Sequence, residues 1–180
     1  MPSSLFNFTI LCAMTGLAMA GCANTPMSSS SNQHRVIVHA VSAQGVGPAI
    51  GSIQFKDSPA GLVINTNLSD LPPGPHGFHI HEKPSCEAAK DGKMGAAAGG
   101  HYNPDNIAHH GTPENGHLGD LPVLVVNDKG FAITPVTAPR LKLSDIQGRT
   151  IMIHAGGDNY SDTPKPLGGG GERIACGVIQ

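Results

Sequence analysis

The chain has 180 residues, enough for one domain and an appendage, and carries a net charge of -2 with a pI near 6.5. That balance offers no basic surface for a nucleic acid. With 24 Gly, 15 Pro and no Trp the composition suits turns and loops better than long helices, and ten His are a rich supply of the commonest metal ligand.

Residues 5–20, LFNFTILCAMTGLAMA, are apolar but too short and too poorly flanked for a membrane span. They read as a secretory signal that lacks the usual opening Lys or Arg. Two cleavage sites compete. Ala18-Met19-Ala20 gives a soluble product beginning at Gly21, whereas Met19-Ala20-Gly21-Cys22 resembles a bacterial lipoprotein signal with Met in place of Leu. Cysteine counting favours the second. Cys12 leaves with the signal, and if Cys86 and Cys176 pair, Cys22 is a stray thiol in an oxidising compartment unless lipid caps it. The expected organisation is a signal over 1–22 with Cys22 first in the mature chain, a flexible polar tether over 23–34, and a domain over 35–180. The expected location is the periplasm, with a lipid anchor on a membrane.

From there short runs rich in Val and Ile succeed one another, bounded by Gly, Pro, Asn and Asp. They are RVIVHAV (35–41), IGSIQFKD (50–57), GLVINTNL (61–68) and GFHIHE (77–82). LPVLVVND and GFAITPV (121–136) predict a hairpin around Asp128-Lys129-Gly130, and RTIMIHA (149–155) and RIACGVI (173–179) close the series. No segment has a helical period. The pattern predicts an antiparallel β-sandwich or barrel.

In GFHIHE an extended strand puts His79 and His81 on one face and Phe78 and Ile80 on the other, so two imidazoles stand where they could grip one ion. His154 lies on the opposite face of its strand from Ile151 and Ile153 and adds a third imidazole; an imidazole-rich site suits copper or zinc. Residues 82–120 have no strand period, and a loop of that length is uncommon in a compact domain and usually functional. Within it HHGTPENGHLGD (109–120) offers His110, His117 and Asp120, and GGHYNP offers His101, a donor set that tetrahedral zinc accepts. Singly, each residue is better read as an ordinary polar loop or surface position; as a group they are better read as ligands.

GFHIHE, GGHYNP, HGTPENGHLGDLP, MIHAGGD and GGGGERIACGVI, in this order, resemble the signatures of copper/zinc superoxide dismutase, and HAGGDNYSD is similar to its bacterial periplasmic branch. The resemblance runs from about Arg35 to the C-terminus and implies an all-β, Greek-key antiparallel sandwich or barrel of about eight strands with long metal-binding loops. It implies that His79, His81, His101 and His154 bind copper, that His101, His110, His117 and Asp120 bind zinc, and that His101 bridges the two. Asp158 matches the aspartate that accepts hydrogen bonds from one ligand of each metal. Cys86 and Cys176 match the intrachain disulfide; closing that loop of about ninety residues contributes about 4–5 kcal/mol on a chain-entropy argument. Arg173, three residues before Cys176, matches the arginine that guides a small anion.

The implied reaction is disproportionation of superoxide to dioxygen and hydrogen peroxide by copper cycling between Cu(II) and Cu(I), with His101 taking part as the bridge. The alternative is a periplasmic module of the same fold that binds or delivers copper and zinc without turnover. His34, His39, His76 and His109 receive no role, and Lys93 and Lys165 are cationic candidates whose plain reading is solvated surface. Strand patterns leave monomer and homodimer both open.

Overall fold

The computed structural model describes Met1 and residues 33–180. The signal-like segment, Cys22 and the tether as far as residue 32 lie outside the described residues. The remainder of the chain is nearly all strand and loop. In chain order the strands are β1 (Gln33–Ser42), β2 (Gly45–Ser58), β3 (Gly61–Leu68), β4 (Gly74–His76), β5 (Phe78–His81), β6 (Leu124–Val126), β7 (Val136–Ala138), β8 (Arg149–His154) and β9 (Arg173–Ile179), with a single-turn helix α1 (Leu143–Ile146) between β7 and β8. Strand β1 starts two residues before the predicted domain boundary, so His34 belongs to a strand and not to the tether.

Seven strands form one antiparallel sheet in the order β5-β8-β9-β1-β2-β3-β7, and β4 and β6 form a second, two-stranded one. Alternation explains the main layer. Along β2, Ile53 and Phe55 are fully buried while Gln54 and Lys56 face water. Val36 and Val38 of β1, Leu62 and Ile64 of β3, and Ile151 and Ile153 of β8 join them in one core, to which Phe78 and Ile80 of β5 also belong. The β5 strand thus has its apolar side in the core and its two histidines on the other side, still buried at 0% exposure. The core fixes which way the imidazoles face, because a one-residue slip would exchange the two sets.

The predicted hairpin over 121–136 is only a turn. Asn127 N–H donates to the Phe131 carbonyl and Gly130 N–H to that of Asn127, but then the two arms part. Strand β6 pairs with β4 and β7 with β3. Ala132 spends its N–H and C=O on Leu68, and Pro135 has no N–H to offer a neighbouring ladder. Each arm therefore finds its partner elsewhere.

A smaller apolar cluster of Val41, Ala98, Met152 and Cys176 lies apart from the main core, with Cys86 packed against it. Cys86 and Cys176 are joined as a disulfide. Thr150 of β8 adds a second tie beside it, its hydroxyl donating to the Lys83 carbonyl and accepting from Ser85 N–H. The start of the 82–120 segment is thereby fastened to β8 and β9.

Candidate metal centre

The middle and the far end of the 82–120 loop return to β5. His101 forms a bridge with His81, and Asp120 one with His79. Tyr102 N–H donates to the Ile80 carbonyl, Ile80 N–H to that of Gly119, and Gly119 N–H to that of Tyr102. A β-carbon at Gly119 would overlap the Ile80 carbonyl, so the close approach requires glycine. On the other side β8 pairs with β5, placing His79 opposite Met152 and His81 opposite Thr150. His154 ends β8 where its N–H reaches the Gly77 carbonyl. Three stretches far apart in sequence are thus sewn to one four-residue strand.

Two donor clusters result. One nitrogen each from His79, His81, His101 and His154 lie within 4.8 Å of one another, and so do atoms of His79, His101, His110 and Asp120. His117 stands outside the second group as so delimited, but its Nδ1 is 3.4 Å from Asp120 Oδ1. Both clusters contain His79 and His101, whose rings stack with centroids 3.9 Å apart.

The second nitrogen of each ring decides which of them can serve two ions. His79 Nε2 lies 2.7 Å from Asp158 Oδ2, leaving Nδ1 free. His110 Nε2 lies 2.8 Å from Asp158 Oδ1, leaving its Nδ1 free. His81 Nδ1 is 3.0 Å from the Gly99 carbonyl and His154 Nδ1 is 3.2 Å from that of Gly171, so their Nε2 atoms are free, and these converge to 3.4 Å. His101 alone among these rings has no neutral carbonyl or Asp158 partner; its Nδ1 is 2.8 Å from Asp120 Oδ1, inside the second cluster. His79 can therefore give one nitrogen to one ion, whereas His101, a member of both clusters, has no carbonyl or Asp158 oxygen holding its second nitrogen.

The residues fit metal ions. The Nδ1 atoms of His79, His110 and His117 are buried without a hydrogen-bond partner. An unsatisfied buried polar atom costs about 1–3 kcal/mol, so each of these nitrogens calls for a partner. His110 Nδ1 lies 2.9 Å from Asp120 Oδ2 without hydrogen-bond alignment, the arrangement of two donors aimed at one point. With bonds of about 2.0–2.1 Å, neighbouring ligands of tetrahedral zinc stand about 3.3–3.4 Å apart, so the His117–Asp120 spacing matches and the His101 and His110 spacings are slightly tighter. Four imidazoles suit copper or zinc, and three imidazoles with a carboxylate suit zinc.

Burial and neighbours set the proton affinities. Burial, helped by the nearby His101, lowers the His79 pKa to about 3. Burial likewise lowers His154 to about 4 and holds His81 well below its usual value, with the Arg173 charge adding to both. These rings are neutral, as ligands must be. Burial opposes charge on His110 too, but the Asp120 and Asp158 carboxylates outweigh it and raise its pKa to about 9. Burial resists ionisation of Asp120 and Asp158 as well; hydrogen bonds from the histidines win and hold both far below the usual carboxylate range.

Arg173 donates from Nη1 to the Gly95 carbonyl and from Nη2 to that of Gly99, 2.7 Å away. Gly99 O also receives His81 Nδ1, so the guanidinium and a ring of the first cluster share one acceptor. Lys93 and Arg173 line one groove with Met94 and Glu172, while Lys165 lines a different one beside Asp158 and Tyr160. Sequence reasoning left His76 without a role. Its ring is buried, with both nitrogens 2.7 Å from carbonyls, those of Pro72 and His154, and it braces the end of β8 that carries His154. The signal was its place between Pro75 and Gly77 beside the histidine strand, where a polar ring needs a partner. His109 is exposed and pairs with Asp162 at 3.3 Å, which leaves His110 as the inward member of the His-His pair.

Residues 49–179 match the family described as copper/zinc superoxide dismutase. The chain belongs to the copper/zinc superoxide dismutase family. Superoxide dismutase [Cu-Zn] 2 of Salmonella typhimurium is 53% identical over 175 residues, covering 94% of this chain and 97% of the relative. The solved Cu/Zn superoxide dismutase from Brucella abortus superposes with a TM-score of 0.79 at 49% identity, covering 82% of this chain and 99% of that one. A monomeric copper, zinc superoxide dismutase from Salmonella enterica, solved in solution, gives a TM-score of 0.73 at 54% identity, covering 82% and 99%. The curled antiparallel sheet and its small companion are the architecture of copper/zinc superoxide dismutases, and Cys86–Cys176 is in place as the resemblance implied.

Proposed function

We propose that this protein disproportionates superoxide to dioxygen and hydrogen peroxide, with copper and zinc as its cofactors. Copper supplies one-electron redox chemistry when bound, and zinc, which has none, supplies fixed charge and geometry. Copper would be held by His79 Nδ1, His81 Nε2, His154 Nε2 and the second nitrogen of His101. Zinc would be held by His101, His110 and His117 through Nδ1 and by Asp120. Asp158 keeps His79 and His110 in the tautomer that leaves Nδ1 free. The observation that carries the reading is the convergence of two donor clusters on His101, when every other copper-side ring has its second nitrogen engaged by the protein.

The protein's own groups then have distinct tasks. Arg173, fixed by two carbonyls, presents a cation beside His81 and His154 and docks a small anion by charge and hydrogen bonding. His101 could hold a proton on its second nitrogen while Nδ1 stays with the Asp120 cluster, and would give that proton to the departing peroxide, whose second proton comes from solvent. The test is a cytochrome c competition assay on protein loaded with both metals. Rapid loss of superoxide supports the proposal; tight binding of both metals without turnover rejects it in favour of a metal-delivery module.

The N-terminal organisation is proposed on sequence alone: a signal over 1–22, lipid on Cys22, a tether from residue 23 to the start of β1, and periplasmic residence. Mass spectrometry of the mature N-terminus decides between lipidated Cys22 and a soluble product starting at Gly21.

A further inference from the structure

We infer that Arg140 is a positioning residue for the zinc-side cluster, acting through the main chain of the loop that carries His117. The inference rests on the zinc reading above. Among the zinc-side rings, His101 is oriented by Asp120 and His110 by Asp158. His117 has no hydrogen bond to its ring among the described residues; Asp120 accepts only its main-chain N–H, at 2.8 Å. Something other than a ring partner must aim it.

Arg140, in the turn after β7, supplies the missing constraint. Its Nε donates to the Pro113 carbonyl at 2.7 Å, and its Nη2 donates to those of Gly116 at 2.7 Å and His117 at 2.9 Å. One planar, permanently charged group thus grips three carbonyls within five residues. The His117 carbonyl also receives Asp120 N–H, so the ligand-bearing turn is held from both sides. The turn itself is tight: a β-carbon at Gly116 would overlap Asp120 Oδ2 and Gly111. A fork matched to three acceptors fixes orientation where a point charge would not, so lysine at 140 restores charge without restoring the clamp.

The test uses the full metal-free chain, with zinc and copper affinities measured separately by chelator competition. Arg140→Gln and Arg140→Lys are compared with the unsubstituted protein, and Co(II) bound in place of zinc reports ligand geometry through its visible spectrum. Both substitutions are expected to weaken zinc by about 10- to 100-fold, the usual effect of losing an outer contact to a ligand, with lysine the milder. The Co(II) bands are expected to shift, and copper affinity of the zinc-free chain is expected to stay unchanged. Zinc affinity within about twofold of the unsubstituted chain overturns the inference, whatever the unfolding midpoint does. So does an equal loss of both metals, which marks general weakening of the fold. If the unsubstituted chain takes up no zinc, the zinc reading itself fails, and the inference with it.

Discussion

A methyl group at Gly168 would land on the carboxylate that serves both clusters. Gly168 has φ 71°, and a β-carbon there would overlap Asp158 Oδ1 and stand 2.8 Å from His110 Nε2. Asp158 cannot simply swing aside, because His79, His110 and Tyr160 N–H all hold it. Two costs add. Left-handed backbone costs a non-glycine residue about 1–2 kcal/mol. Displacing Asp158 forfeits two charge-assisted hydrogen bonds, each worth about 1.5–3 kcal/mol. Gly148 separates the two, since it has φ 69° and nothing near its missing β-carbon. Denaturant unfolding of the metal-free proteins should show a loss of about 1 kcal/mol for Gly148→Ala and about 4 kcal/mol or more for Gly168→Ala. Chelator competition should show both metals weakened by about 10- to 100-fold in Gly168→Ala, because Asp158 orients one ring in each cluster, and neither weakened in Gly148→Ala. Equal losses of stability in the two variants, or an effect of Gly168→Ala on one metal alone, would refute the reasoning.

Arg173→Ala should lower kcat/KM by about 10- to 100-fold, the worth of one charged hydrogen bond, with both metals retained; metal loss would sink its role in docking. Replacing Cys86 and Cys176 by serine should cost about 2–5 kcal/mol in denaturant unfolding, and an unchanged midpoint would mean the 82–120 loop does not depend on that bond. The metal-free protein should be most stable near pH 6.5. His79 and His154, with folded pKa values of about 3 and 4, bind protons more readily when unfolded, so stability falls as pH drops from 6.5 towards 4. His110, raised to about 9, contributes fully below 6.5 and loses that contribution as pH climbs to 9. Thermal midpoints across pH 4–10 check both slopes, and a midpoint rising steadily from pH 4 to 10 would contradict the second.

Much of the strand pattern was readable because it is local. Residues 61–68 and 173–179 were delimited as strands by alternation and flanking Gly, and β3 and β9 have those bounds. Pairing is not local, and there the reading of 121–136 went astray: nothing in that stretch reveals that Ala132 is claimed by Leu68 or that β6 belongs with β4. The ligand-type side chains were visible as an unusual density of His in Gly-rich sequence. The atoms they leave free were not, because each tautomer depends on a carbonyl or carboxylate brought from 17 to 79 residues away. His76 and Arg140 escaped for the same reason, since both act on main-chain carbonyls, which have no signature in the sequence.

Asp158 sends one oxygen to each cluster. Loading of the two basins is consequently a linked equilibrium, in which the first ion to arrive prepays part of the ordering the second requires. Thermodynamic reciprocity then demands that whatever factor zinc lends to copper, copper returns to zinc.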